Sequence, residues 1–334
     1  MYDVRTRKRL TALRTRSVSK MGKKILVALG GNAILKHGEN GTAEEQFENV
    51  KKTCKILVDL ICEGHKIAIT HGNGPQVGDI LLKNELAKNS LPPMPLDVCG
   101  AESQGMIGYM LQQSMYNELK SAGLDISTVA VITQTLVDKN DPAFKSPTKP
   151  IGPFYTAMEA STLRKEKGWT IINDGGRGYR RVVSSPNPTA IVESVSIKEL
   201  YDHGVVVIAC GGGGIPLITN DDNMTLQGVE AVIDKDHAAA LFATLISADI
   251  LLILTDVDKV ALNYGRPDQK ELDAITIEDA EKYLAEGHFP AGSMGPKVES
   301  AIRFVRSGGE KAIITSIEFA KSSLQGSGGT TIHS

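Results

Sequence analysis

Four apolar runs, each ending in a turn rich in glycine or acidic residues, recur along the chain. They lie at residues 25–33 (ILVALGGNA), 66–78 (KIAITHGNGPQVG), 205–214 (VVVIACGGGG) and 250–258 (ILLILTDVD). Continuous apolar runs of this length are typical of buried parallel strands. A glycine turn at a strand end lets the backbone come very close to a bound group, most often an anion. We therefore expect these strand ends to gather around one site.

The spacing of apolar residues between the strands predicts helices. Thr42 and Glu45 form a capping box, apolar residues then recur every three or four positions, and Gly64 suits the helix C-terminus. Strand and helix alternate, which predicts an α/β three-layer sandwich with a mainly parallel central sheet and right-handed crossovers. Further along, the patterns predict helices at 102–121, 232–247, 278–284 and from Pro296, and strands at 129–132, 250–254 and 311–315, the last of which closes the sheet.

The middle of the chain changes character. Residues 140–153 contain four prolines, and residues 170–188 alternate β-branched residues with glycines and arginines. A polar, proline-punctuated segment with strand-like pieces predicts an inserted lid subdomain, at about residues 138–190. Its arginines, Arg177, Arg180 and Arg181, either bind an acidic group or only solvate the lid, and their polar context favours solvation.

Composition narrows the classes of partner. The formal net charge is -2 and the pI is near 6.4, which gives no reason to expect nucleic acid. No apolar run approaches the roughly 18 residues of a membrane span, so we expect a soluble protein. The four cysteines are scattered without CxxC spacing, which supports neither disulfides nor a zinc site and favours the cytoplasm.

The first twenty residues are strongly basic. They carry a charge of +6, whereas the rest of the chain carries -8. Such a leader is either an extension outside the fold, an organelle transit peptide or a solvated tail. Because Met21 stands directly before the first apolar run, we expect residues 1–21 to be an extension without a part in the fold, and organelle targeting stays open.

The glycine turns indicate phosphate chemistry when they are taken together. A single Gly-Gly pair is as often only a tight turn, but several such turns at one sheet edge suggest a polyphosphate held by backbone N–H groups. The pattern matches neither GxxxxGK[ST] nor GxGxxG. The chain therefore lacks the sequence signatures of a P-loop and of a dinucleotide fold.

Three lysines beside glycine, proline or aspartate are candidates for phosphoryl transfer, which needs positive charge more than a base. These are Lys149, Lys235 and Lys297, although each alone is more often a solvated surface lysine. Asp234 and Asp236 either cap the following helix or take part in catalysis. The histidines show no ligand spacing, so we assign no protein-bound metal and expect Mg²⁺ only with a nucleotide.

Several ordered stretches resemble the amino acid kinase superfamily, and most closely its carbamate kinases. They are GGNA at 30–33, GNGPQVG at 72–78, CGAESQGMIGY at 99–109, PTKPIGPFY at 147–155, GRGYRRVV at 176–183, GGGGIP at 211–216, VIDKDHAA at 232–239 and GSMGPKVE at 292–299. Other branches of the superfamily place a lysine two residues before the glycine pair, where this chain has Ala28. The resemblance implies that the inserted subdomain supplies a substitute, Lys149.

The resemblance implies a reversible reaction, ATP plus carbamate giving ADP plus carbamoyl phosphate, usually run toward ATP in arginine or purine-derivative catabolism. It implies a carbamate-binding domain at residues 22–245, a nucleotide-binding domain at 246–334, and a homodimer. The implied catalytic residues are Lys149, Lys235, Asp236 and Lys297. The implied substrate and phosphate contacts are Gly30, Gly31, Asn32, Gly72, Asn73, Gly74, Gly211, Gly212 and Gly213. The implied nucleotide contacts are Thr255, Asp256, Val257, Tyr264 and Met294.

Two alternatives stay open. One is another superfamily phosphotransferase, acting on a carboxylate such as that of an amino acid, or on a nucleoside monophosphate. The other is a catalytically silent nucleotide-binding regulator, in which the lysines would be dispensable.

Overall fold

A computed structural model describes residues 22–174, 176, 178–220, 225–290 and 292–334. The predicted extension at residues 1–21 lies outside the described residues. Within the described ranges, eight strands form a central sheet with helices on both faces. The predicted α/β sandwich with a mainly parallel sheet is confirmed.

The central sheet is parallel over most of its width. Its strands, in spatial order, are β15 (Ala274–Thr276), β17 (Thr330–His333), β16 (Lys311–Ser316), β12 (Ile250–Thr255), β1 (Lys24–Leu29), β2 (Lys66–His71), β9 (Val206–Ile208) and β3 (Thr128–Ala130). Strands β1, β2, β9 and β12 all run in one direction, so their carboxyl ends meet at one edge. The glycine turns that follow β1, β2 and β9 therefore converge, as the apolar runs predicted.

The prediction that residues 311–315 close the sheet was wrong. After β16 the chain reverses and returns as β17, which pairs antiparallel with β16 and parallel with β15. Gly328 and Gly329 permit the reversal because both adopt positive φ, at 83° and 82°. The predicted strand at 129–132 also begins one residue earlier and ends two residues earlier.

The helices bury alternate faces of the sheet. They are α1 (Ala43–Cys62), α2 (Gly74–Ala87), α3 (Leu96–Ser121), α4 (Ala157–Lys167), α5 (Ser194–Asp202), α6 (Lys235–Leu245), α7 (Ile277–Ala285), α8 (Met294–Arg306) and α9 (Ala320–Leu324). On β1, Leu26 and Ala28 face the core under α5–α8, whereas Val27 and Leu29 face the core under α1, α3 and α9. The capping box of Thr42 and Glu45 is present, but α3 begins at Leu96 rather than near residue 102.

Smaller sheets flank the central one at the edge where the glycine turns meet. One consists of β11 (Leu226–Gly228), β10 (Ile215–Thr219), β4 (Gln134–Val137) and β8 (Pro188–Ile191). Another consists of β5 (Lys149–Tyr155), β7 (Tyr179–Val183) and β6 (Ile171–Asn173), and with α4 it forms what we call the small module. A separate short antiparallel pair consists of β13 (Ala261–Leu262) and β14 (Lys270–Glu271).

The small module packs against α2 through apolar contacts. Ile151 of β5 and Val183 of β7 pack with Val77 and Ile80 of α2 in a separate apolar cluster. This contact places the beginning of β5, and with it Lys149, over the end of β2. Among the described residues, no helix combines the length and the apolar character that crossing a membrane requires.

Candidate active site

The first glycine turn follows β1 and has no room for side chains on its inner side. The Gly30 N–H donates to the Leu254 carbonyl at 2.9 Å, and a Cβ on Gly30 would lie 2.8 Å from the same oxygen. Gly31, in contrast, has open space beside its Cα. The chain then turns through a short 3₁₀ segment, Gly31–Ala33. Gly31 and Asn32 consequently line open cavity rather than core.

The second turn, at residues 72–74, is fixed by the neighbouring helix. The Asn73 amide donates to Ser103 Oγ at 2.7 Å, and the Ser103 hydroxyl donates to the Gly100 carbonyl at 2.6 Å. Ser103 is fully buried in α3, so it holds the Asn73 side chain in one orientation. Sequence reasoning missed Ser103, although it lies inside the stretch 99–109 that carried part of the resemblance.

The third turn, at residues 211–214, is a packing element as much as a ligand loop. Gly212 has φ of 65°, and a Cβ there would lie 2.2 Å from Asn73 Nδ2. Gly213 has φ of 95°, and its Cβ would lie 2.5 Å from the Ile233 carbonyl oxygen. All three glycines of this turn are buried. Among the described residues only Gly212 of the three lines the first large cavity, so the predicted phosphate contacts of Gly211 and Gly213 are not placed there.

The predicted lysines and aspartates come together at the start of α6. Lys235 Nζ lies 2.7 Å from Asp236 Oδ1, and Lys297 Nζ lies 3.0 Å from Asp236 Oδ2. Lys149 Nζ, from the small module, lies 2.7 Å from Asp234 Oδ2. The two aspartates therefore hold three ammonium groups that the chain brings from distant positions.

The two aspartates divide the roles that the sequence left open. Asp234 caps α6, because its Oδ1 accepts the Asp236 N–H at 2.9 Å, and it also pairs with Lys149. Asp236 is buried and uses both carboxylate oxygens on lysines, so it is not the capping residue.

The ionisation of the cluster follows from its pairing. Burial would raise the pKa of Asp236, but the adjacent Lys235 and Lys297 ammonium groups hold it below its ordinary value. Burial likewise opposes ionisation of Asp234, yet Lys149 keeps the pKa of that carboxyl low. Burial lowers the pKa of Lys235, and the charge of Asp236 opposes that shift. Both carboxylates are thus ionised at neutral pH.

His71, at the end of β2, is a neutral structural residue. It is almost fully buried, and burial lowers the pKa of His71 to about 4. Its Nδ1 lies 3.0 Å from the Gly72 carbonyl oxygen, which can only accept, so Nδ1 carries the proton. The imidazole thereby supports the second glycine turn.

Three cavities lie in a row along this edge. The first, about 560 Å³, is lined by the second glycine turn, β5 and Lys149. The second, about 510 Å³, is lined by the first glycine turn, Lys297 and the end of β12. Gly31 and Lys235 line both of these cavities. The third, about 140 Å³, shares Lys297 with the second.

The residues expected around the nucleotide all line the second or third cavity. Thr255 and Asp256 line both, and the third also contains Val257, Tyr264 and Met294. Lys36 and His37 line the second cavity and were missed, because nothing in their local pattern distinguishes them from a solvated loop.

The expectation that the arginines only solvate the small module was wrong for Arg181. Arg181 is 9% exposed, forms an ion pair with Glu230, and stacks 4.2 Å from the Trp169 ring centroid. Arg180 lines the first cavity. Arg177 lies outside the described residues.

The arrangement can stabilise negative charge that moves between two cavities. Preorganised ammonium groups and a rigid glycine-rich backbone stabilise developing charge without reorganising during the reaction. Ala28 is fully buried in the core under α6, so charge at this site comes instead from lysines of α6, α8 and β5.

Known proteins resemble this chain over most of its length. The model of the amino acid kinase family matches residues 23–316. A carbamate kinase of Thermococcus kodakarensis is 52% identical over 313 residues, covering 93% of this chain and 99% of the relative. One of Clostridium perfringens is 53% identical over 313 residues, covering 92% and 99%. The solved carbamate kinase from Giardia lamblia bound to AMP-PNP superimposes with a TM-score of 0.88 at 45% identity, covering 93% and 98%.

Proposed function

The chain belongs to the amino acid kinase family, and from this premise we propose that it is a carbamate kinase, which reversibly converts ATP and carbamate into ADP and carbamoyl phosphate. Relatives with about half of their residues identical over nearly the whole chain carry that name. The observation that carries the proposal is that Gly31 and Lys235 line both large cavities. A phosphoryl group at this junction is within reach of a ligand on either side.

The chemistry is a direct displacement at phosphorus. In the ATP-consuming direction a carbamate oxygen attacks the γ-phosphorus, the bond to the β-phosphate oxygen breaks, and its electron pair leaves with ADP. Carbamate is already an anion, so no general base is required. The barrier that the protein must lower is repulsion between two anions, and positive charge lowers it.

We assign the charge-neutralising roles to the three lysines. Lys149 approaches the transferring oxygens from the carbamate side and Lys297 from the nucleotide side, while Lys235 lies at the junction. Asp236 orients Lys235 and Lys297, as the distances of 2.7 and 3.0 Å support. Gly30, Gly31 and Asn32 hold the phosphoryl group, and Gly72, Asn73 and Gly74 hold carbamate beside it.

We propose that the small module acts as a lid over the first cavity. It carries Lys149, and residues 150–154 form part of the cavity wall. The segment 22–245 would then bind carbamate and 246–334 the nucleotide, on two sides of one continuous sheet in which β1 pairs with β12.

Mg²⁺ is expected to enter with the nucleotide, whose phosphate oxygens suit it as ligands. It would supply further neutralisation of phosphate charge. Within the described ranges, no cluster of three or more His, Cys, Asp or Glu side chains is placed to hold a metal ion.

We propose that the exposed face of α3 binds a second copy of the chain. Val98, Gly105, Tyr109 and Tyr116 recur at helical spacing on this face, and both tyrosines are more than half exposed. Glycine inside a helix lowers helix stability by about 1 kcal/mol relative to alanine. Within the chain nothing lies within 4 Å of the position that a Cβ on Gly105 would occupy, so packing inside the subunit does not require a glycine there. Close approach of another subunit would explain this glycine, which supports the homodimer.

The direction toward ATP, in the cytoplasmic breakdown of arginine or purine derivatives, is part of the same proposal. Carbamoyl phosphate is a mixed anhydride, and its breakdown favours phosphoryl transfer to ADP. The four cysteines are free, as a reducing compartment requires.

The deciding experiment measures ATP formation from carbamoyl phosphate and ADP in a coupled assay. We expect turnover by the wild type and a loss of at least about 10²-fold in kcat for Lys149→Ala, with Lys145→Ala as an exposed control in the same segment. No ATP formation, together with turnover of acetylglutamate, would establish the carboxylate kinase alternative. Wild-type rates in both Lys149→Ala and Lys297→Ala would contradict the roles assigned to these lysines. No turnover of carbamoyl phosphate or acetylglutamate by the wild type would favour the catalytically silent regulator.

A further inference from the structure

Two adjacent arginines of β7 are held in different ways. Arg181 lines a separate cavity beside Trp169 and is fixed there by Glu230. Arg180 lines the first cavity, together with Lys149 and Phe154. Neighbouring residues of a strand point to opposite faces, so the two arginines line two different cavities.

The Arg180 guanidinium makes only weak polar contacts with the described part of the protein. Its Nη1 lies 3.3 Å from Asp174 Oδ2, whereas charge-assisted N–H···O bonds are usually about 2.7–2.9 Å long. Its Nε is buried, and the described part of the chain offers that N–H no acceptor. The guanidinium lies 5.2 Å from the Phe154 ring centroid, a contact that supports it without fixing its in-plane direction.

A buried donor without an acceptor is unfavourable, so a small rotation toward an anion in the cavity would improve its bonding. A guanidinium also presents a planar fork that matches the paired oxygens of a carboxylate or phosphate. Lys149, by contrast, presents a point charge that Asp234 already holds. The two cations of the small module are therefore suited to different parts of one anionic ligand.

We propose that Arg180 is a substrate-binding residue that captures the oxyanion of the small substrate, which is the acceptor carbamate in one direction and the donor carbamoyl phosphate in the other. This inference rests on the proposed function. Arg180 sets the affinity for the small substrate, whereas Lys149 acts on the group in transfer.

The test separates affinity from turnover. Initial rates of ATP formation are measured against carbamoyl phosphate at saturating ADP, and against ADP at saturating carbamoyl phosphate. For Arg180→Gln we expect the KM for carbamoyl phosphate to rise about ten- to a hundredfold, with the KM for ADP unchanged. Arg180→Lys should recover part of that loss, because it keeps the charge but not the fork.

Arg181→Gln is the matched control, since it removes an arginine from the other face of the same strand. We expect it to lower thermal stability through its lost ion pair while leaving the KM for carbamoyl phosphate near the wild-type value. If Arg180→Gln does not fold, Arg180→Lys decides on its own. A wild type that forms ATP, with an unchanged KM in the Arg180 variants, would overturn the inference and leave the proposed function standing. A wild type without activity would overturn both.

Discussion

At the scale of single residues, the site depends on one carboxylate that faces two ammonium groups. Asp236 is 3% exposed and touches both Lys235 and Lys297, so the two cations stay close together although they repel each other. Each lysine retains donors for a ligand, because an ammonium group has three.

Asp236→Asn should therefore damage both activity and stability. Removing one partner of a buried ion pair typically costs about 3–5 kcal/mol, and here two ammonium groups would lose their shared acceptor. We expect kcat to fall by at least about 10²-fold and the unfolding free energy to fall by a similar few kcal/mol. Urea unfolding and the coupled assay measure the two effects. Asp279→Asn, at an exposed first-turn aspartate of α7, should leave kcat unchanged and cost at most about 1 kcal/mol of stability, through its lost interaction with the helix dipole.

The low pKa values of Asp234 and Asp236 predict acid sensitivity. In the folded protein both carboxyls bind protons less readily than in the unfolded chain, where the pKa of an aspartate is about 3.9. Their contribution to stability is complete above that pH and is lost as the pH falls through the folded values. Unfolding free energies measured from pH 7 to 3 should decline below about pH 4, and Asp236→Asn should show the weaker decline. If the unfolding free energy falls equally steeply with pH in the wild type and in Asp236→Asn, Asp236 does not cause the acid sensitivity.

The sequence singled out the three lysines that the structure brings together, but it did not predict how they are held. Their glycine, proline and aspartate neighbours are local signals. The pairing of Lys149 with Asp234, or of Lys297 with Asp236, joins residues 85 and 61 positions apart, and no local pattern encodes such a contact. For the same reason Ser103 was missed, since its role exists only through Asn73.

At the scale of elements, the glycine turn after β9 shows how backbone shape makes room for a neighbouring side chain. Positive φ at Gly212 and the absence of its Cβ allow Asn73 to lie against the turn. The order of strands and helices was predictable from apolar periodicity. The strand β17 was not, because four residues after a glycine reversal give too weak a pattern.

Gly212→Ala should displace Asn73 and so weaken substrate binding. A Cβ 2.2 Å from Asn73 Nδ2 cannot be accommodated without moving that side chain or the turn. We expect a loss of at least about tenfold in kcat/KM for carbamoyl phosphate and a stability loss of about 1–3 kcal/mol. Gly204→Ala is the control, because Gly204 also has positive φ, at 85°, but open space around its Cβ position. If both variants lose the same activity, backbone strain rather than Asn73 is responsible.

At the scale of the whole molecule, the exposed face of α3 and the row of cavities lie on different elements. The proposed dimer would therefore leave the edge of the sheet with the glycine turns open to ligands. Fold and family were predictable from ordered motifs along the chain. The proposed dimer face, in contrast, could be located only once the exposure of Gly105, Tyr109 and Tyr116 was known.

Gly105→Arg should dissociate the proposed dimer, since it places a large charged side chain where close helix approach requires none. Light scattering after size-exclusion chromatography should give twice the chain mass of 35.8 kDa for the wild type and the single mass for the variant. Met158→Arg, at a position 82% exposed on α4, should remain dimeric. A monomeric wild type would contradict the homodimer.

The junction formed by Gly31 and Lys235 also has a consequence for the stereochemistry of the reaction at phosphorus. In the proposed arrangement, donor and acceptor occupy the two cavities on opposite sides of that junction, which requires the phosphoryl group to pass in a single in-line step. A phosphorus atom made chiral with oxygen isotopes should therefore emerge with inverted configuration. Retention would instead indicate two successive transfers through a side chain of the protein.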